Sequence, residues 1–418
     1  MKQRILVLIM ALLALSSLRV DAQTEAQETP PGVPQLTTRL LSYYSYYNIY
    51  EQAGTFLVTS VPVERLTHLH YASVGISATG QCESVDEYAD TEYLYPGDRT
   101  AERLRGNFKQ LPILRQRNPE LQIIMSVGGW ENSGRFSDAA LTDESRTRFV
   151  QSCIAFMRQY SFDGIEIDWR YPVEGGRAGN ITRPEDTANL TLLMQALRAG
   201  LEETSLDDDR RYLLTMTLPA VEGLYRLYDV AALHPLLDYI NLMTFDFEGA
   251  WSSLAAHIAP LYSSERDPRG VTQNPVSVDG SVTAYLNMGV PADKLVIGVP
   301  FYAQAWQNVR AGRLFGLYQA TGGVPSGTRA DGRLYYRDLN PLLTSADYVR
   351  YFDDMALASW MYNARRNIAV SYESPESARA KGSYARTAGL GGVMAWEVSF
   401  DAPTFDLLNA IYQGLTQP

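Results

Sequence analysis

The stretch SFDGIEIDWRYP, Ser161 to Pro172, carries Asp163, Glu166, Asp168 and Arg170 in one run flanked by apolar residues. Carboxylates at such spacing suit acid–base work, in which one carboxyl gives up a proton and an ionised neighbour steadies the charge that develops. Side chains alternate along a strand, so Glu166, Asp168 and Arg170 share one face with Arg170 outermost, and Trp169 faces the other way, toward packing. A guanidinium, with a pKa above ~12, cannot serve as the proton donor near neutrality. The same charges equally suit a buried ion network that plugs an interior.

The run must sit on a scaffold that aims it. Eight short apolar runs recur along the chain: RLLSYYSYY, LTHLHYASVGI, LQIIMSVGGW, FDGIEIDW, YLLTMTLPA, LDYINLMTF, KLVIGVPFY and LGGVMAW. Amphipathic stretches of helix length lie between several of them, such as ESRTRFVQSCIAFMRQY and RPEDTANLTLLMQALRAGLEE. Eight strands with helical crossovers predict an α/β fold, a closed (β/α)8 TIM barrel, with an open doubly wound sheet as the rival. About 90 residues separate the last two strands, far beyond an ordinary loop. Their Tyr-rich, β-forming content predicts a small α+β subdomain over 307–374, inserted between barrel segments 39–306 and 375–418. In such a barrel the strand ends carry the functional groups.

The first 22 residues, with Lys2, Arg4 and an apolar run from Ile5 to Leu15, have the form of a secretory signal peptide. Its removal would take the formal charge from −11 to about −13. Residues 23–38 are polar and Pro-rich and predict a disordered leader. The mature chain is expected to be secreted, extracellular or periplasmic, and monomeric, with no nucleic-acid partner and no membrane attachment. Cys82 and Cys153, the two cysteines, could pair in such a compartment. Asn180 and Asn189 head glycosylation sequons. With four His in the whole chain, no metal-ligand cluster is visible, and no cofactor is expected.

SVGGW (Ser126 to Trp130), FDGIEIDWRYP, LMTFDFEGAW (Leu242 to Trp251), GVPFYAQAW (Gly298 to Trp306) and GGVMAWE (Gly391 to Glu397) resemble, in order, the signature segments of glycoside hydrolase family 18, the chitinases and their lectin-like relatives. The resemblance runs from Arg39 to the C-terminal helix. It implies a cleft for N-acetylglucosamine-containing, chitin-like polysaccharide. The family pattern on the fourth strand is Asp-x-x-Asp-x-Asp-x-Glu, with the last Glu as general acid and the substrate's own acetamido group as nucleophile. Here Asp163 and Asp168 match, Glu166 replaces an Asp, and Arg170 replaces the acid. The sixth-strand Met-x-Tyr-Asp, whose hydroxyl holds the acetamido group, reads Met243, Thr244, Phe245, Asp246. The Gly-Arg that follows the seventh-strand Tyr302 reads Ala303-Gln304, so a cleft cation has moved or gone.

The resemblance assigns Trp396 to the floor of the cleft. Tyr43, Tyr47, Gly129, Trp130, Met243, Phe245, Asp246, Trp251, Tyr302 and Trp306 complete the candidate sugar-binding set. Aromatic faces complement the C–H faces of a pyranose, and Asp246 can accept a hydroxyl. The expectation is a carbohydrate-binding, chitinase-like protein without hydrolytic activity. Two alternatives stand beside it: a glycosidase with a displaced acid, for which Glu174 is the candidate, and a protein-interaction barrel whose cleft is blocked.

Overall fold

The computed structural model describes residues 36, 38–50, 55–270 and 276–417. The signal peptide and nearly all of the leader lie outside them. Eight parallel strands form the centre: β1 Arg39–Ser45, β2 His68–Ile76, β3 Gln122–Gly128, β4 Gly164–Asp168, β5 Leu213–Pro219, β6 Tyr239–Met243, β7 Leu295–Pro300 and β8 Gly392–Trp396. Each pairs with its neighbours in chain order, and β1 closes the ring by pairing with both β2 and β8. The fold is a (β/α)8 barrel, and the open-sheet rival is excluded by that closure.

The strands are almost wholly buried because both faces are covered, which is why they read as near-continuous apolar runs rather than alternating ones. On β4, Ile165 and Ile167 point away from Glu166 and Asp168, and all four side chains are buried. Register places Glu166 beside Ser126 and Asp168 beside Gly128 of β3. The flanking helices begin where the sequence supplies caps. Helix α1, Asp143–Gln159, starts in a capping box between Thr142 and Ser145 and buries Phe149, Cys153 and Met157 at four-residue intervals. Helix α2, Asp186–Asp207, buries Leu190, Leu193, Leu197 and Leu201. Helix α3, Pro375–Thr387, is capped by Ser374 and leads into β8.

The insertion between β7 and β8 is a five-stranded antiparallel sheet, ordered 333–335, 302–306, 368–372, 358–363, 349–353. Its second strand, Tyr302–Trp306, directly follows β7 but pairs with strands of this sheet, 333–335 and 368–372. The sequence reading assigned these five residues to the barrel, with the insertion starting at 307. The structure moves them into the inserted sheet. Cys82 and Cys153 form a disulfide with 5.0 Å between their Cα atoms, tying the strand after β2 to α1.

Candidate functional site

Inside the barrel, Glu166 is fully buried and surrounded by donors. The hydroxyls of Tyr43 and Thr217 and the Asn241 amide donate to its Oε1 at 2.7, 2.9 and 2.7 Å. His70 Nδ1 stands 3.2 Å from Oε2, close enough for charge interaction but not aligned as a hydrogen bond. Burial pushes the Glu166 carboxyl up, yet the His70 ring and the hydrogen bonds outweigh it and hold the carboxyl at about 2. Glu166 is therefore an ionised anchor and not a proton donor.

Arg170 lies just past the end of β4 and closes over Asp168. Its Nε and Nη2 donate to the two carboxylate oxygens, each at 2.7 Å, with both side chains largely buried. Burial raises the Asp168 carboxyl, and Arg170 pulls it back; the carboxylate in turn drives the guanidinium pKa up despite burial. The backbone of Arg170 is held too. Ser133 Oγ accepts its N–H at 2.8 Å, and the Asn180 amide donates to its carbonyl at 3.0 Å. Asn180 is thus committed to the site, and Asn189 is buried on α2, so neither sequon presents a free amide. Gly128 is required at the end of β3, since a Cβ there would collide with the Asp168 carbonyl and the Phe136 ring.

Above this pair a cavity of about 780 Å³ opens at the C-terminal mouth of the barrel. Of the candidate residues, Tyr47, Gly129, Trp130, Asp168, Arg170, Met243, Phe245, Asp246, Trp251 and Trp396 line it. Trp130 and Trp251 are 46% and 67% exposed, so their ring faces are available to a ligand. Phe245 fills a slot that exists because Gly298 has no side chain; a Cβ there would stand 2.6 Å from its ring. Asp246 accepts from the Tyr302 hydroxyl and from Arg333 at 3.0 Å. Arg333 lies opposite Gln304 in the inserted sheet, so this cation reaches Asp246 from the strand adjacent to Tyr302–Trp306.

Five further candidates lie outside the cavity lining. Asp163 sits at the opposite, N-terminal end of β4, where Arg115 and Arg210 bind its oxygens and it accepts the Ile123 N–H at 2.7 Å. Its spacing is odd relative to Glu166 and Asp168, so alternation already takes it off their face. Tyr43 is buried beneath the floor, its ring 5.0 Å from that of Trp396. Tyr302 is buried behind Asp246, and Trp306 is buried with its indole N–H on the Gly249 carbonyl at 3.0 Å. The insertion claims both, through pairings remote in sequence. Glu174, the displaced-acid candidate, is exposed and paired with Arg226, outside the cavity lining. Sequence reasoning missed Tyr171, Arg329, Asp331 and Arg333, which also line the cavity. Three of them come from the insertion, with no local motif to announce them.

Residues 39–401 match the profile of Glycosyl hydrolases family 18. The chain belongs to that family. It is 41% identical over 321 residues to Chitinase A1 of Niallia circulans, an alignment covering 76% of this chain and 46% of that protein. The chain thus spans less than half the length of that relative. It is 32% identical over 416 residues to Chitinase 1 of Aphanocladium album, covering 98% of this chain and 92% of that one. Among solved structures, Chitinase ChiA74 from Bacillus thuringiensis superposes with a TM-score of 0.84 at 32% identity, covering 90% of this chain and 69% of that chain. Within this family 18 barrel, then, Arg170 at the end of β4 is locked to its neighbouring Asp168.

Proposed function

We propose that this family 18 chain binds N-acetylglucosamine-containing glycans, of the chitin type, without hydrolysing them. The observation that carries the reading is the two-point pair between Arg170 and Asp168 at the place of the proton donor. Proton transfer by a guanidinium would face roughly 7 kcal/mol of mismatch near neutrality, and its charge would oppose the positive charge that develops on the sugar ring. Binding does not need that proton. The open rings of Trp130 and Trp251, the Trp396 floor and the Asp246 carboxylate remain in one cavity. Export from the cell accompanies this reading, supported by the signal-like first residues and by the disulfide.

A hydrolase acting through another acid is the second reading, favoured by the chitinase relatives and by Glu131, a carboxyl on the cavity wall. Reducing-end release from chitin oligomers, read beside calorimetric binding, separates the two. Binding without release is expected. Release that survives Arg170→Ala and disappears with Glu131→Gln or Glu174→Gln would replace the first reading with the second. Trp396→Ala should weaken oligomer binding by at least about tenfold, because a buried aromatic anchor carries ~2 kcal/mol or more. Undiminished affinity in the folded variant would place the sugar elsewhere.

A further inference from the structure

We propose that the preferred ligand of this cleft is an acidic glycan, an N-acetylhexosamine oligomer bearing a carboxylate, and that Arg329 binds that carboxylate. The proposal rests on the sugar-binding reading above and specifies its ligand class. The four carboxylates on the cavity wall already have cations. Asp168 has Arg170 at 2.7 Å, Asp246 has Arg333 at 3.0 Å, Asp331 has Arg333 at 3.6 Å, and Glu131 has Arg177 at 3.1 Å.

Arg329 is different. Its guanidinium carbon lies 6.0 Å from the ring centroids of both Tyr47 and Tyr335, and no carboxylate or carbonyl among the described residues accepts from it. Two aromatic rings therefore place the cation, while among the described residues no acceptor holds its N–H fork. The backbone fixes its location as well: Arg329 N–H donates to the Arg333 carbonyl at 3.0 Å, and its own carbonyl accepts from Gly327 at 3.2 Å. Tyr47 and Arg329 line the same cavity as Trp396, so a glycan seated on that floor lies alongside the guanidinium fork.

A guanidinium has five donors and no acceptor, and its planar fork matches a carboxylate at two points, whereas a sugar hydroxyl satisfies one donor at most. The wall carries four carboxylates and three arginines, so the cleft does not draw anions from a distance. The preference must come from direct contact.

The test is calorimetry on the full chain with an alternating tetrasaccharide of N-acetylglucosamine and N-acetylmuramic acid, as free acid and as methyl ester, beside chitotetraose. The free acid should bind about fivefold tighter than the ester, the scale of one exposed ion pair. Arg329→Gln should bring that ratio to about one, and Arg329→Lys should restore only part of it. Equal binding of acid and ester, or a preference that survives Arg329→Gln, overturns the proposal and leaves the cleft reading intact. Absence of binding by all three ligands overturns both.

Discussion

Arg170 forms a largely buried two-point ion pair with Asp168, and its consequences for stability can be measured. Removing one partner of a buried pair leaves the other charge unmatched, at a cost of ~3 to 5 kcal/mol. In Arg170→Ala the Asp168 carboxyl, already raised by burial, moves further above its unfolded value near 3.8. A folded-state pKa that is raised contributes stability at low pH and loses it as pH rises, so the penalty is present at pH 7 and fades below about 4. The melting temperature should fall by about 5 °C at pH 7 and much less at pH 4. An equal shift at both pH values would mean that charge is not the cause. The reverse experiment concerns activity. Arg170→Glu alone should release few reducing ends from chitin oligomers, because Phe245 has no hydroxyl for the acetamido group; Arg170→Glu with Phe245→Tyr should release clearly more. A single variant as active as the double one would show that Phe245 matters little. Trp169, stacked on Phe136 at 5.3 Å, belongs to the core, and its loss should unfold rather than unbind.

At the scale of elements, the eight barrel strands were legible because both their faces are buried, which writes each as a compact apolar run between turn residues. The ends of those strands were less legible. Trp306 follows β7 so closely that local pattern cannot distinguish a strand end from a new strand, and only pairing with residues 333–335 and 368–372 decides it. Arg333 and Arg329 reach the cleft by the same non-local route. The partner of Glu166 was equally hidden, since His70 and Asn241 lie on separate strands and read alone as core residues. The disulfide between Cys82 and Cys153 is another long-range tie, with a sequence separation of 71. By chain entropy a loop of that length stabilises the fold by about 4 kcal/mol. Cys153→Ser should lower the melting temperature by about 5 °C while leaving the cleft geometry and oligomer affinity unchanged. A large loss of affinity in the folded variant would show that the tie reaches the site.

For the molecule as a whole, buried carboxyls of opposite character set the response to pH. Glu166, held at about 2 against an unfolded value of 4.5, contributes stability above pH 4.5 and loses it as pH falls toward 2. Asp90 acts in the other direction. It is fully buried, accepting from the Tyr71 and Ser84 hydroxyls, and burial raises its carboxyl to about 7 against an unfolded 3.8. No cation pairs with it among the described residues, and the nearby Asp86 raises it further. Its protonated form suits the fold, so its contribution is complete below pH 3.8 and lost as pH rises through 7. Asp401, raised by burial to about 7 against three backbone N–H bonds, adds to the same trend. Asp90→Asn keeps an acceptor for Tyr71 and removes the charge. The difference in melting temperature between this variant and the unaltered chain should be near zero at pH 4 and rise through pH 7, reaching several degrees in the variant's favour at pH 8. A difference that stays constant from pH 4 to pH 8 would mean that Asp90 titrates like a solvated carboxylate, and the alkaline loss of stability would then have to come from Asp401 or from the chain's net charge of −11.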